Sequence, residues 1–190
     1  GALAKPSGAQ GDAASLADRA THLDPADWAG LRSRALADLY ARRHDPSLER
    51  FARAAALAPN DADLRADYAD ALAFSGDPEG GLAMIGEAMR LNPLHPGYYD
   101  WIRGSILFQM RQYREARAAL DPVKSNPAVA RLLAATCARA GDAAAAGRFA
   151  RTLRENYPGF RADDVWRLSP NRRADDTRHL VEALKEAGVD

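Results

Sequence analysis

The sequence has a single cysteine, Cys137, among its 190 residues. One thiol excludes an internal disulfide framework and any cysteine-only zinc site. No apolar run approaches the roughly 20 residues that a bilayer-crossing helix needs, so no membrane insertion is expected. Net charge is absent as well: 26 lysines and arginines balance 26 aspartates and glutamates. That balance removes the electrostatic argument for nucleic acid or an anionic membrane as partner. The most telling shortage is in β-branched side chains. Valine, isoleucine and threonine number 5, 3 and 4, against 42 alanines. Alanine is the best helix former, and strands need the residues that are scarce. The composition therefore predicts an all-α protein. Small side chains also let helices approach closely, which favours thin stacked layers over a thick bundle core.

Prolines that follow helical stretches stand at Pro25, Pro59, Pro93, Pro127 and Pro158. Four of these five positions are evenly 34 residues apart, and the last interval is 31. Three of them share flanks: Leu23-Asp24-Pro25, Leu57-Ala58-Pro59-Asn60 and Leu91-Asn92-Pro93. Proline lacks a donor and fixes its own φ, so it ends one helix and can begin the next. Between successive prolines lies a second break, at Gly76-Asp77-Pro78 and Gly141-Asp142, with His44-Asp45-Pro46 and Arg111-Gln112-Tyr113 in the matching places. Each period thus reads as two helices joined by a tight turn. Apolar residues recur at helical spacing on both, as in Leu36, Tyr40, then Phe51, Ala54, Leu57.

A period of 34 with two helices and a terminal proline resembles the tetratricopeptide repeat, or TPR. The residues that carry the likeness are Trp101, Gly104, Leu107, Tyr113 and Ala116 in one unit. A second has Tyr68, Ala69, Leu72, Gly76, Gly81, Ile85, Ala88 and Pro93. A third has Leu133, Ala134, Cys137, Gly141, Ala146 and Pro158; the earliest has Leu36, Ala37, Tyr40, Phe51, Ala54 and Pro59. The resemblance implies an α-α superhelix of four helix pairs over roughly residues 30–158, whose concave groove binds a protein or peptide.

The ends complete the expected organisation. Residues 1–11 read as a flexible segment, 12–158 as the repeat array and 159–190 as capping helices. Residues 12–23 look like the second helix of a repeat that lacks its first; it is either a cap or the sign of a longer protein, and the second reading is favoured. Residues 160–168 and 172–187 read as two helices, the last with an apolar stripe of Leu180, Val181, Leu184 and Ala187 that would close the array. This tail is similar to repeat regions attached to bacterial class III nucleotide cyclases or winged-helix regulators. The likeness implies a regulatory part of a larger bacterial protein, and the alanine, arginine and aspartate bias suits GC-rich coding. The cytoplasm is the expected compartment, with the periplasm left open.

The chemistry of an enzyme is not legible. Cys137 falls on an apolar helix face and reads as a packing residue. His22, His44, His95 and His179 are scattered, with no metal-ligand spacing among them. Asp61, Asp63, Asp163 and Asp175 sit at helix starts, where carboxylates cap free amides and oppose the dipole. No glycine-rich phosphate loop is present. The reading is therefore a non-enzyme without a cofactor.

What remains is the inner surface. First helices of each pair line the concave side of such a superhelix, so their residues not used in packing face the groove. The candidate partner-binding residues are Arg34, Asp38, Asp63, Asp67, Asp70, Phe74, Tyr98, Trp101, Phe108 and Arg131; Arg42, Ser105 and Gln109 point the same way. Asp63, Asp67 and Asp70 share one helix face and repel each other. Beside them lie Tyr98, Trp101 and Phe108, and large aromatics in a groove are typical anchors. A peptide with a basic residue next to an apolar one is the expected partner. Trp101 and Phe108 are equally readable as inter-repeat packing. The alternative function is self-association, as a homodimer, through an exposed repeat end.

Overall fold

A helix pair can close only if the chain reverses within two residues, and one turn does this throughout. In the computed structural model, which describes residues 27–190, Arg42, Gly76, Arg111 and Gly141 all have left-handed backbone, with φ of 59°, 101°, 60° and 80°. The next residue's N–H returns to the carbonyl five positions back: Arg43 to Asp38, Asp77 to Leu72, Gln112 to Leu107 and Asp142 to Cys137, at 2.8–2.9 Å. This is the Schellman arrangement, which satisfies carbonyls left over at a helix end. Glycine takes the conformation freely, whereas arginine does so at a steric cost. In the first pair the reversal stands at Arg42-Arg43, two residues before the expected His44-Asp45-Pro46. Pro46 falls in the first turn of the next helix, where no N–H is needed.

The helices in chain order are α1 (Trp28–Tyr40), α2 (His44–Leu57), α3 (Ala62–Phe74), α4 (Pro78–Leu91), α5 (Tyr98–Gln109), α6 (Tyr113–Leu120), α7 (Ala130–Arg139), α8 (Ala143–Asn156), α9 (Val165–Leu168) and α10 (Ala174–Glu186). No strand occurs among the described residues. The first eight form four antiparallel pairs, an all-α superhelix of the expected kind. Four helix starts are capped by side chains: Asp27 accepts from the Ala29 N–H, Asp61 from Leu64, Asp77 from Gly80 and Asp142 from Ala145, at 2.7–3.1 Å. The third pair departs from the pattern. α6 stops at Leu120, because Pro122 cannot continue it, and 3-10 turns at Asp121–Val123 and Pro127–Val129 lead into α7. The expected helix over residues 12–23, and the segment 1–11, lie outside the described residues.

The core is a row of small clusters. Phe51 stacks on Tyr68 with ring centroids 5.5 Å apart among Leu31, Leu39 and Leu64. Ile85, Tyr99, Ile102 and Ile106 fill the next layer, and Leu120, Leu133, Val165 and Leu184 the last. Nearest-neighbour packing of this kind is the energetic signature of solenoids. Close approach rests on missing side chains. A Cβ on Gly81 would stand 2.7 Å from the Ala69 carbonyl oxygen, and one on Gly104 2.5 Å from Leu120 Cγ.

The C-terminal segment closes the array in two parts. α10 packs on α7, burying Val181, Ala183 and Leu184, and ends at Gly188 (φ 81°) with the same reversal, Val189 N–H to Leu184 oxygen. The helix expected over residues 160–168 is a 3-10 turn, Ala162–Asp164, followed by the four-residue α9. Ser169 is extended (ψ 131°) because Pro170 follows it, and the chain then turns inward instead of stacking as another repeat.

Replacing Gly81 with alanine is expected to destabilise the protein by about 1–3 kcal/mol, since α3 and α4 must separate. Gly147→Ala, at a helical position with nothing within 4 Å of the added Cβ, is expected to stabilise it by about 0.5–1 kcal/mol. Urea denaturation midpoints of the two variants check both signs.

Candidate functional site

The concave face of α1, α3, α5 and α7 is not empty. Residues 165–173 cross it as a strap. Arg42 donates from one guanidinium nitrogen to the carbonyl oxygens of Trp166 (2.5 Å) and Ser169 (3.0 Å). The Arg172 N–H donates to the Phe74 carbonyl at 2.8 Å, and its guanidinium pairs with Asp45. Arg173 donates to the Gly76 carbonyl at 2.8 Å. Both arginines with left-handed backbone thus hold the C-terminal segment, for Arg111 donates to Nδ1 of His179 at 2.9 Å. Nε2–H of that ring then donates to the Tyr113 hydroxyl at 3.1 Å, and Phe108 stacks on the ring at 4.8 Å. The strained turns (Arg42, Arg111) therefore coincide with contacts that anchor the tail.

Between the strap and the groove wall remains a cavity of about 120 Å³. Tyr40, Phe74, Trp101, Phe108, Leu132 and Leu180 supply its apolar lining, with Ser105, Gln109, Arg131, Asn171 and Asp176 as polar members. Of the residues expected in the groove, Phe74, Trp101, Phe108 and Arg131 meet here, and Ser105 and Gln109 join them. Tyr40 was legible only as a repeat-pattern residue, and the strap gave no signal, since nothing in its composition says that it folds back.

A second group lies further out. Asp63 accepts hydrogen bonds from the hydroxyls of Tyr98 and Tyr99, each at 2.7 Å, and these donors lower its pKa. Asp67 pairs with Arg32 at 2.7 Å, yet burial outweighs that cation and raises its pKa. Asp70 is 9% exposed; burial, reinforced by Asp67, pushes its carboxyl up to about 8. Beside it the Tyr40 phenol is pushed up to about 12 by burial and Asp70. The stripe of three repelling carboxylates expected from helical spacing is thus largely neutralised, by a cation at Asp67 and by protonation at Asp70.

Arg34 and Asp38 are placed differently from the expectation of a groove-facing pair. Asp38 is 1% exposed and accepts from Arg43 at 2.5 Å and Arg50 at 2.7 Å, with Arg34 Nε 3.5 Å away. A carboxylate surrounded by arginines is a joint between α1 and α2, because burial of a charge requires partners. Of the two further aspartates expected to cap helices, Asp163 pairs with Lys185 at 2.9 Å and Asp175 pairs with Arg178. Cys137 is fully buried, and burial pushes its thiol pKa up. Among the described residues no three histidine, cysteine or acidic side chains gather to hold a metal. None of the described helices is long and apolar enough to cross a membrane.

No family model matches the chain, and no curated protein does. Solved structures do. PilW, a widely conserved type IV pilus biogenesis factor, superposes with a TM-score of 0.70 over 94% of this chain and 82% of its own, at 20% identity. TTC0263, a thermophilic TPR protein of Thermus thermophilus, gives 0.69 over 93% and 91%, also at 20% identity. YrrB, a TPR protein with an unusual peptide-binding site, gives 0.57 over 92% of each chain at 16% identity. With its four helix pairs and repeated reversals, the chain has the tetratricopeptide-repeat fold.

Two buried groups set opposite pH dependences. Asp70, raised from 3.8 to about 8, contributes stability that is present below pH 3.8 and lost as pH rises to about 8. His179, lowered from 6.5 to about 4 by burial and by Arg111, contributes stability that is present above pH 6.5 and lost as pH falls to about 4. His44, lowered mainly by burial, acts in the same direction as His179. The Asp70→Asn variant is expected to gain stability from pH 4 to 6.5 and then level off. His179→Gln is expected to decline through most of the interval from 4 to 8. Urea denaturation across this range separates the two.

Proposed function

We propose that this chain is a protein-interaction scaffold whose concave groove binds a partner peptide, and that it serves as the regulatory or docking part of a larger bacterial protein. One observation carries the reading: the groove already accepts a chain segment, residues 165–173, in which the short helix α9 is followed by non-helical chain, by donating arginine hydrogen bonds to its backbone carbonyls. Backbone contacts of this kind are sequence-tolerant, and pockets for particular side chains add selectivity. Side chains suited to that selectivity line the groove. Asp63 keeps its charge through two phenol donors, with no salt bridge to a cation among the described residues, and Tyr98 beside it is 37% exposed. A lysine or arginine of the partner fits Asp63, and a neighbouring apolar side chain fits against Tyr98 and Trp101. The fold-level likeness to YrrB, whose own description includes a peptide-binding site, agrees with this reading. No catalytic step is assigned to the groove, where among the described residues no hydrogen-bonded pair of nucleophile and general base is found.

Peptide-library selection on the immobilised chain tests the proposal. Peptides enriched on the wild type are expected to carry a basic residue beside an apolar one. Asp63→Asn, which keeps the shape of the side chain, is expected to weaken the best of them by about tenfold, or about 1.4 kcal/mol. No enrichment, or equal affinity for both proteins, would refute groove recognition.

A further inference from the structure

The cavity under the strap holds polar groups that no described residue satisfies. The amide oxygens Gln109 Oε1 and Asn171 Oδ1 are buried without a hydrogen-bond partner, and both residues line the cavity. Asn171 is only 7% exposed, and its amide nitrogen donates to Thr177 Oγ1 at 3.2 Å. Turning the amide over would let Thr177 donate to the oxygen and would orphan the nitrogen instead, so one atom is left over in either orientation. In native proteins buried polar atoms are nearly always paired, and exceptions mark a missing partner.

A charge stands in the same wall. The Arg131 guanidinium has no carboxylate paired with it among the described residues; its recorded contact is the face of Phe160, 5.8 Å from the ring centroid. Asp176, the acidic residue of the lining, is engaged by Arg173 at 3.2 Å. A recessed cation without a counter-ion is unfavourable unless an anion arrives. Water could satisfy the two amides, but it cannot neutralise the guanidinium. Phe74, Trp101 and Leu180 give the wall its apolar surface, beside Ser105 and Ser169. The cavity, about 120 Å³ and open to solvent on one side, is smaller than the roughly 150 Å³ that encloses benzene, so it takes one small body that fills it with an apolar side chain and leaves part of its polar end at the opening.

We propose that this pocket binds a small apolar α-amino acid: its carboxylate on Arg131, its ammonium on the amide oxygens of Gln109 and Asn171, and its side chain against Phe74, Trp101 and Leu180. The chemistry needs an anion, N–H donors and an apolar group within one residue's reach. A peptide C-terminus carries the anion and the apolar group, but its terminal residue has one backbone N–H where the free amino acid has an ammonium with three on a single atom.

Thermal unfolding and calorimetric titration of the full chain test this, with L-valine, L-leucine, L-isoleucine, L-methionine and L-phenylalanine as the probes, each at millimolar concentration. At least one is expected to bind saturably and to raise Tm by about 5 °C when present at about 100 times its Kd. The corresponding amino acid amide, which lacks the carboxylate, is expected to give no shift. Arg131→Met, which keeps the apolar stem, and Gln109→Met are each expected to weaken binding by about tenfold or more. Asp63→Asn lies outside the pocket and is expected to bind the amino acid as the wild type does. Absence of heat and shift with all five, or unchanged binding by Arg131→Met, would overturn the proposal. N-acetyl amino acid binding as tightly as the free form would also overturn it and assign the pocket to a peptide C-terminus. No peptide enters these measurements, so their outcome is independent of the groove reading.

Discussion

The repeated chain reversal is the constraint on which the rest depends. Two antiparallel helices joined by a single left-handed residue must lie close together, and the Schellman bond fixes where each helix ends. Close approach then dictates what the facing sides can carry. Gly81 against the Ala69 carbonyl and Gly104 against Leu120 leave no room for a Cβ, and alanines at positions 35, 54, 66, 69, 73 and 88 are buried. The high alanine content is therefore a consequence of geometry as well as of helix propensity. Each layer buries a few large side chains, such as Phe51 or Tyr99, and the small ones allow the layers to meet.

The same reversals also position the tail. At two of the five the left-handed residue is arginine, a conformation that disfavours side chains with a Cβ. Arg42 and Arg111 use the exposed corner to reach residues more than 60 positions away in sequence, the Trp166 and Ser169 carbonyls and His179. At a third corner Gly76 offers its carbonyl to Arg173. One edge of the groove thus becomes a row of clamps for a segment that α10 anchors. In this way the array is closed at its C-terminal end and its groove is partly filled by the same 30 or so residues.

Burial rewrites the charges of the groove. Asp63, Asp67 and Asp70 lie on one face of α3, as their spacing requires, yet they end in three different states. Two phenols hold Asp63 ionised, a guanidinium meets Asp67, and the dry surroundings of Asp70 favour its neutral form. Near them Arg131 stands without a paired carboxylate among the described residues. The groove therefore has the polarity of a divided surface, with one fixed negative charge towards its outer end and one recessed positive charge beneath the strap.

How much of this was legible in the sequence follows from the range of the forces involved. Proline spacing, the helix cap at Asp61, the breaks at Gly76-Asp77 and Gly141-Asp142, and the apolar rhythm of Phe51, Ile85 and Leu133 are local signals, and they determined the class, the period and the pairing of helices. Glycine at residues 76 and 141 announced two reversals; arginine at 42 carried no such mark, so the first turn fell two residues from its expected place. The groove face of Phe74, Trp101 and Arg131 follows from helical periodicity alone. Whether Asp38 is a ligand-facing acid or a buried joint, and where residues 165–173 run, depends on contacts between chain segments far apart in sequence. Only the tertiary structure decided those matters, because burial and ion pairing are properties of the assembled surface and not of the local chain.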